Sequence, residues 1–300
     1  MHIRLAAEPA ERGLKIRTAV HGELLEATFP EEGAVHPEGG PLRFVPACAA
    51  ALREIGVHTA PAALWVHASL PAGRGFSSSA AFTLATLDAL ARLSGRPLPA
   101  DALAELAFHV EHDLLGVPCG RMDPLACAAG APVYLRWDGA GRAPLRRLRP
   151  GAELHFVLGA FPRPRSAEAL LQALRAAWTT WLGSAEGDAA RATFATFAAE
   201  AEAGALALER GDARAVGAGM DRCQAAYEEL SAVLPALHAG QLARACRGLR
   251  AAGALGAKLS GAGGDGSLIT LAQDADHADV LARMLREDGL QVWKSPVGPS

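Results

Sequence analysis

A glycine- and serine-rich segment, residues 70–81, holds the residue types best suited to chemistry in this 300-residue chain. It reads Leu-Pro-Ala-Gly-Arg-Gly-Phe-Ser-Ser-Ser-Ala-Ala. Glycines let the backbone turn tightly and approach a ligand, and the unpaired N–H groups of a helix N-terminus attract anions. The segment therefore predicts an anion site, for which phosphate is the usual ligand. A serine helix cap beside an ordinary glycine turn is the simpler alternative.

The residues on either side of this segment indicate a strand, a loop and a helix. Residues 64–70 alternate between apolar and other side chains, which is the period of a strand with one buried face. Residues 80–91 repeat apolar side chains at helical spacing. The loop lacks the Gly-Lys-Ser/Thr of a Walker loop, and serine at position 78 excludes the Gly-x-Gly-x-x-Gly pattern.

Two acidic residues, Glu111 and Asp123, are the next candidates for chemistry. Glu111 falls in the last turns of a helix predicted over residues 99–115, where the helix dipole disfavours an acid. An acid in such a place is a candidate cation ligand, and a solvated charged face is the alternative. Asp123 follows a turn bounded by glycine and proline, where it could simply cap the next helix.

A second glycine cluster, residues 253–267, precedes a predicted strand at 268–271. By itself the cluster is a weak signal, since a structural turn would have the same composition. Further strands are predicted at 2–6, 14–20, 132–137, 153–159 and 290–294. Helices are predicted at 44–55 and 275–287, a surface loop at 30–41, and a layer of three or four helices over 166–253.

Composition excludes several classes of protein. Half of the residues are hydrophobic, which suffices for a large core in one or two domains. The net charge of −3, without a basic block, argues against nucleic-acid binding. Five cysteines without a Cys-x-x-Cys pair favour reduced thiols in a cytoplasmic protein. Neither a signal-peptide core nor eighteen consecutive apolar residues occur, so no membrane association is expected.

The three motifs, in order and spacing, resemble those of the GHMP kinases, the family of galactokinase, homoserine kinase and mevalonate kinase. Residues 71–80 resemble its Pro-x-Gly-x-Gly-Leu-Ser-Ser-Ser-Ala loop, with Phe76 in place of leucine. Residues 116–123 resemble the galactokinase segment that carries its catalytic aspartate, and the spacing from Glu111 to Asp123 also fits galactokinase. Residues 258–264 resemble the third motif, although Asp265 stands where glycine is usual.

The resemblance runs over about residues 14–294 and implies the α+β GHMP kinase fold. Its N-terminal domain, expected at residues 1–150, is similar to ribosomal protein S5, and its C-terminal domain, at 151–300, is ferredoxin-like. The implied reaction moves the γ-phosphoryl of ATP to a hydroxyl of a sugar or sugar-like substrate, with Mg²⁺ as cofactor. Mevalonate or another small alcohol is the alternative acceptor, and a ligand sensor without turnover is the alternative from another class. A monomer or homodimer is expected.

The resemblance also assigns roles to individual residues. Asp123 would take the acceptor proton, and Ser79 and Glu111 would bind Mg²⁺. Arg17, five residues before Gly22, would lie near Asp123 and stabilise the transferring phosphoryl, with a structural salt bridge as the alternative. The residues expected to bind ATP are Pro71, Gly73, Gly75, Ser77, Ser78, Ser79 and Ala80. The residues expected to contact the substrate are Glu23, Gly120, Gly261, Ala262, Gly263 and Gly264.

One departure from the galactokinase pattern bears on the acceptor. Galactokinase continues its Gly-Glu pair into His-Thr-Asp-Tyr, whose polar groups help to bind the sugar. This chain instead continues Gly22-Glu23 into Leu24-Leu25. The departure weighs against galactose itself as the acceptor. Other sugar kinases and heptose-phosphate kinases of the family share the serine loop, and their C-terminal motif resembles residues 253–264.

Overall fold

The structure, a computed structural model, describes residues 2–20, 23–32, 35, 40–69, 75–137, 145–162, 167–261 and 263–299. Contacts within the chain divide it into two compact units, Met1–Ala131 and Pro132–Ser300. The domain boundary expected between residues 150 and 151 stays a prediction. In the described part of the chain, no helix has both the length and the apolar character that crossing a bilayer requires.

The first unit combines a mixed sheet with helices. Its strands are β1 (Ile3–Pro9), β2 (Leu14–Val20), β3 (Glu23–Phe29) and β4 (Ala62–Ala68). Its helices are α1 (Phe44–Glu54), α2 (Ser78–Leu93), α3 (Ala100–His109) and α4 (Met122–Ala129). The sheet order is β1-β4-β2-β3, in which β2 and β4 run parallel and the other neighbours antiparallel. The parallel pair is joined through α1, as a crossover requires.

Strand β2 shows how the sequence divides this sheet into two faces. Leu14 and Ile16 are buried, whereas Lys15 and Arg17 are exposed, because successive side chains point to opposite faces. The buried side chains pack with α1, which is buried along most of its length. Burying a side chain such as Ile16 contributes about 1.5–3 kcal/mol, so the helix-covered face supplies much of this unit's stability.

The second unit has a sheet with the order β10-β7-β9-β8, in which all neighbours run antiparallel. Its strands are β5 (Val133–Leu135), β6 (Leu145–Arg147), β7 (Leu154–Ala160), β8 (Gly256–Ser260), β9 (Ser267–Ala272) and β10 (Gln291–Val297). Its helices are α5 (Ala167–Thr180), α6 (Ala185–Arg210), α7 (Ala213–Val233), α8 (Gly240–Ala251) and α9 (Ala275–Glu287). Strands β7 to β10 with their helices follow the ferredoxin-like β-α-β-β-α-β pattern.

A close backbone approach presses α7 against β8. A Cβ atom on Gly256 would lie 2.1 Å from the carbonyl oxygen of Gly217, and one on Gly217 would lie 2.1 Å from that of Leu255. Only glycine therefore fits at either position. The contact fixes α7 beside the strand that leads into the second glycine cluster.

The observed elements confirm the α+β fold and the helical layer, which consists of α5 to α8. Three strands, β3, β6 and β8, were not expected, and two of them show why. Strand β3 carries adjacent leucines, Leu24 and Leu25, that break the alternation, and Leu24 is exposed. Strand β8 lies inside the glycine-rich stretch, where the composition predicts a turn. In both cases pairing with a neighbouring strand overrides the local sequence signal.

Candidate active site

The N-terminus of α2 is built on a left-handed serine. Ser77, immediately before the helix, has φ 56°, and among the described residues it is the sole non-glycine residue with positive φ. Such a conformation costs about 1–3 kcal/mol and is concentrated at functional sites. The Ser77 side chain makes no capping hydrogen bond, so the simple cap does not explain this residue.

The part of the loop before Gly75 lies outside the described residues, and with it Pro71 and Gly73. Gly75 has φ 74°, as expected of a glycine in a tight turn. Beyond Ser78, the first residue of α2, Ala80 is buried in the core and Ser79 is exposed. The helix is thus anchored by its alanine, while the Ser79 residue is accessible to solvent. The binding of ATP by these residues stays a prediction.

Glu111 is a buried acid with an unsatisfied oxygen. Its side chain is 4% exposed, and its Oε1 atom has no hydrogen-bond partner among the described residues. Burial raises its pKa to about 7, and the negative charge of Asp123 contributes to the rise. The hydroxyls of Ser79 and Thr83 and the charge of Arg43 act in the opposite direction. A carboxylate in this setting favours a cation beside it.

A π-helical turn, Val110–Leu114, directs Glu111 inward. The N–H of Leu115 donates to the carbonyl of Val110 at 3.1 Å, and the N–H of Val117 donates to the carbonyl of Glu111 at 2.8 Å. Turns of this kind often mark functional positions within helices. The predicted helix at 99–115 therefore ends in a different geometry, which rotates the acid out of α-helical register.

A histidine network braces the outer side of this turn. Nε2 of His109 lies 2.7 Å from a carboxylate oxygen of Glu54, and Nδ1 lies 2.8 Å from one of Asp113. Nδ1 of His112 lies 2.7 Å from the other Asp113 oxygen. Asp113 is exposed, whereas Glu111 is buried, so the solvated charged face given as the alternative for Glu111 does not describe it.

Asp123 lies in the first turn of α4 and is partly buried. Because its charge raises the pKa of Glu111, the two carboxylates are near neighbours. Both also act on the thiol groups beside them. Burial, with the charges of both acids, raises the pKa of Cys119 to about 12 and that of Cys127 to about 11. These thiols stay protonated at neutral pH and are therefore poor nucleophiles and poor metal ligands.

Arg17 and Glu23 lie on the sheet of the first unit, on β2 and β3 respectively. Arg17 forms a salt bridge with Glu26, which stands opposite it on β3, with Nε and Oε1 2.6 Å apart. The residue is on the exposed face of the sheet, and the structure shows no interaction between it and Asp123 in the described ranges. Glu23 is exposed at the start of β3. The roles expected for both residues stay predictions.

The second glycine cluster is held by Tyr227 of α7. The Tyr227 hydroxyl accepts a hydrogen bond from the N–H of Gly264 at 2.7 Å and donates one to the carbonyl of Leu237 at 2.6 Å. Gly263 has φ 97°, and a Cβ there would lie 2.3 Å from the tyrosine oxygen. Gly261 is exposed, Gly263 and Gly264 are buried, and Ala262 lies outside the described residues.

Asp265, which departs from the family's third motif, has a structural role. One of its carboxylate oxygens accepts a hydrogen bond from the N–H of Leu242 at 2.8 Å. Leu242 lies in the first turn of α8, whose N-cap residue offers no side-chain cap. Asp265 therefore caps this helix from a distant part of the chain.

The residues around Glu111 fit a magnesium ion. Mg²⁺ prefers oxygen ligands and is commonly bound by one or two carboxylates together with substrate phosphates. The unpartnered Glu111 oxygen and the nearby Ser79 hydroxyl supply such ligands. Within the described ranges, no group of three or more His, Cys, Asp or Glu side chains is suited to holding a metal. Phosphate oxygens would therefore have to complete the coordination.

The sequence alone does not identify three residues of these sites, which are Thr83, Arg43 and Tyr227. Thr83 lies one helical turn after Ser79, and that spacing is the signal that could have found it. Arg43 is distant in sequence from both acids. Tyr227 lies in an alanine-rich helix without any motif, and nothing in its sequence neighbourhood indicates contact with the glycine cluster. Gly120 is exposed, and a Cβ there would meet no atom within 4 Å.

Two models of known protein domains match this chain, one in each half. The model of the GHMP kinases N terminal domain matches residues 43–131, and that of the GHMP kinases C terminal domain matches residues 205–290. The first match contains the α2 N-terminus, Glu111 and Asp123. The second contains Tyr227 and the second glycine cluster.

Individual relatives agree with these matches. The chain is 26% identical to the mevalonate kinase of Aeropyrum pernix over 276 residues, which cover 91% of this chain and 80% of that protein. It is 38% identical to the galactokinase of Thermotoga neapolitana over 80 residues, which cover 27% of this chain and 23% of that protein. The second likeness is thus confined to a segment.

Solved structures show the same fold. The crystal structure of L. major mevalonate kinase in complex with R-mevalonate superimposes with a TM-score of 0.76, at 19% sequence identity, over 100% of this chain and 86% of that chain. With family models matching both halves of the sequence and a common fold along its length, the chain belongs to the GHMP kinase family.

Proposed function

We propose that this protein is an ATP-dependent kinase that transfers the γ-phosphoryl group to a hydroxyl of a small sugar-like molecule. The observation that carries the proposal is the proximity of Ser79 and Asp123 to Glu111, a buried carboxylate with one oxygen left unpartnered. Phosphoryl transfer requires positioning and charge compensation more than covalent help from the protein. A cluster that offers a cation ligand and a second carboxylate supports such a reaction.

Each residue has a distinct task in the proposed reaction. The N-terminus of α2, with its strained Ser77, would bind phosphate oxygens. Ser79 and Glu111 would hold Mg²⁺, which when bound compensates negative charge on the phosphates. Asp123 would accept the proton of the acceptor hydroxyl as the new oxygen–phosphorus bond forms and the bond between the β- and γ-phosphates breaks.

The acceptor is proposed as a sugar or sugar-like alcohol, from the serine loop and the Asp123 segment. Mevalonate is the second candidate, because the A. pernix mevalonate kinase aligns along nearly the whole chain, whereas the T. neapolitana galactokinase aligns over a segment. Leu24, exposed on β3 where galactokinase has polar residues, supports an acceptor other than galactose.

A coupled assay tests the proposal. Purified protein with ATP and Mg²⁺ is offered a panel of sugars, sugar phosphates, mevalonate and amino-acid alcohols, and ADP release is measured. Turnover with at least one acceptor is expected, and its identity decides between the two candidates. ATP binding without turnover on any acceptor would contradict the kinase assignment and favour a ligand sensor.

Substitution of the proposed base provides the residue-level test. Asp123→Asn keeps the shape of the side chain but cannot take the proton, so turnover should fall about 10²- to 10⁴-fold while ATP affinity is retained. Glu105→Asn is the control, because Glu105 is an exposed acid of the same unit that pairs with Arg121. An Asp123→Asn variant as active as this control would refute the assigned base.

A further inference from the structure

Two buried side-chain atoms lack a hydrogen-bond partner in the described part of the chain, and they are neighbours. They are Oγ1 of Thr83 and Oε1 of Glu111. Thr83 is 0% exposed, and its hydroxyl lowers the pKa of Glu111, which requires it to lie close to the carboxylate. Buried polar groups are nearly always paired. Two neighbouring unpaired atoms, one able to donate and the other able to accept a hydrogen bond, therefore indicate a functional role.

The conformation of Thr83 is unusual for a threonine in a helix. A helical threonine commonly turns its hydroxyl back to the carbonyl four residues earlier. Thr86, in the same helix and equally buried, does so, with its Oγ1 2.9 Å from the carbonyl oxygen of Phe82. The Thr83 hydroxyl makes no such bond to the corresponding carbonyl of Ser79. Helix geometry thus offered this hydroxyl a partner that it does not use.

The position of Thr83 relates it to the proposed cation ligands. Ser79 and Thr83 are four residues apart in α2 and therefore lie on the same side of the helix, one above the other. Both hydroxyls act on the Glu111 carboxylate. Ser79 is exposed, so it can reach a ligand, whereas Thr83 is closed off from solvent and can reach only the carboxylate.

We propose that Thr83 is a positioning residue: when a divalent cation binds, its hydroxyl pairs with the buried oxygen of the Glu111 carboxylate, so that the other oxygen faces the cation. The inference rests on the proposed function, since it assumes that Glu111 binds Mg²⁺. Groups that orient a metal ligand from behind typically change metal affinity 10- to 100-fold when removed. A threonine that only packs in the core would have no such effect.

The test compares variants that differ in the hydroxyl but not in size. Thr83→Val removes the hydroxyl and keeps the shape, Thr83→Ser keeps the hydroxyl, and Thr86→Val removes the hydroxyl that is satisfied within the helix. The measurement is the affinity for a non-hydrolysable ATP analogue by calorimetry, with Mg²⁺ and with EDTA. The ratio of the two affinities reports cation binding without requiring turnover.

Thr83→Val is expected to reduce this Mg²⁺-dependent gain in affinity about tenfold and to leave the affinity in EDTA unchanged. Thr83→Ser and Thr86→Val should retain the gain. If Thr83→Val does not yield folded protein, Thr83→Ala carries the same expectation. An equal gain in Thr83→Val and Thr86→Val would overturn the inference.

A further variant, Glu111→Gln, separates this inference from the proposed function. It should abolish the Mg²⁺-dependent gain if Glu111 binds the cation. If Glu111→Gln abolishes the gain and Thr83→Val does not reduce it, the positioning role fails and the cation site stands. If Glu111→Gln leaves the gain intact, or if the wild-type protein shows none, both the cation site and the role of Thr83 are wrong.

Discussion

The raised pKa of Glu111 predicts that the ligand-free protein loses stability as the pH rises. The pKa moves from its ordinary value of 4.5 to about 7 in the folded protein. Because the folded state then holds its proton more tightly than the unfolded state, stability falls as the pH rises from about 4.5 through about 7 and is level above that. At 1.36 kcal/mol per pKa unit, the shift corresponds to a loss of about 3 kcal/mol, of which about 2.5 falls between pH 5 and pH 8.

Glu111→Gln isolates this contribution, because glutamine has a similar shape and does not titrate. Urea unfolding of the ligand-free wild type and of the variant gives the free energy of unfolding at pH 5 and pH 8. The wild type should lose about 2 to 3 kcal/mol more than the variant between the two pH values. Other titrating groups, such as His109, contribute to both proteins and cancel in the comparison.

Glu105→Gln is the control for this experiment, since Glu105 is exposed and its pair with Arg121 contributes little to stability. It should follow the wild-type pH dependence. The reasoning is refuted if Glu111→Gln and the wild type differ by less than about 1 kcal/mol in their change between pH 5 and pH 8. Glu111 would then be an ordinary ionised carboxylate and not a buried acid with a raised pKa.

Three further predictions concern the two loops. Tyr227→Phe should destabilise the second unit by about 1–3 kcal/mol in thermal unfolding, because the N–H of Gly264 and the carbonyl of Leu237 lose their partner. Asp265→Ala should cost about 1 kcal/mol in the same measurement through loss of the α8 cap. Ser77→Gly should raise the melting temperature, since glycine adopts positive φ without strain, and weaken ATP binding if the serine hydroxyl contacts phosphate. An unchanged melting temperature would contradict each assignment.

Much of the fold follows from patterns that are local in the sequence. Alternation in β2 and β4 and helical spacing in α2 each report which side of an element is buried, so these elements were predictable. Strand β3 was not, because its adjacent leucines obscure the alternation and its pairing with β2 is a tertiary effect. The π-turn at Val110–Leu114 likewise depends on packing around it.

Some residues of the candidate site were likewise predictable from the sequence, and others were not. Ser79, Glu111 and Asp123 stand in recognisable motifs, and the structure brings these three together. Thr83 was not predicted, because a threonine in an amphipathic helix is indistinguishable from a core residue until its hydroxyl is seen without a partner. Asp265 appeared only as a mismatch, and its cap on α8 joins residues 23 positions apart in the sequence.

The π-turn that carries Glu111 contains one residue more than an α-helical turn does. An α-helix advances about 100° per residue, so one extra residue in the turn redirects everything that follows it. Asp123 follows a seven-residue connection, residues 115–121, at the start of α4. Deleting a single residue from Val110–Leu114 would therefore return the turn to α-helical geometry and change the direction in which the chain enters this connection, whereas substitutions at the exposed His112 and Asp113 would leave the length of the turn intact. In this segment, length constrains the chain more tightly than residue identity does.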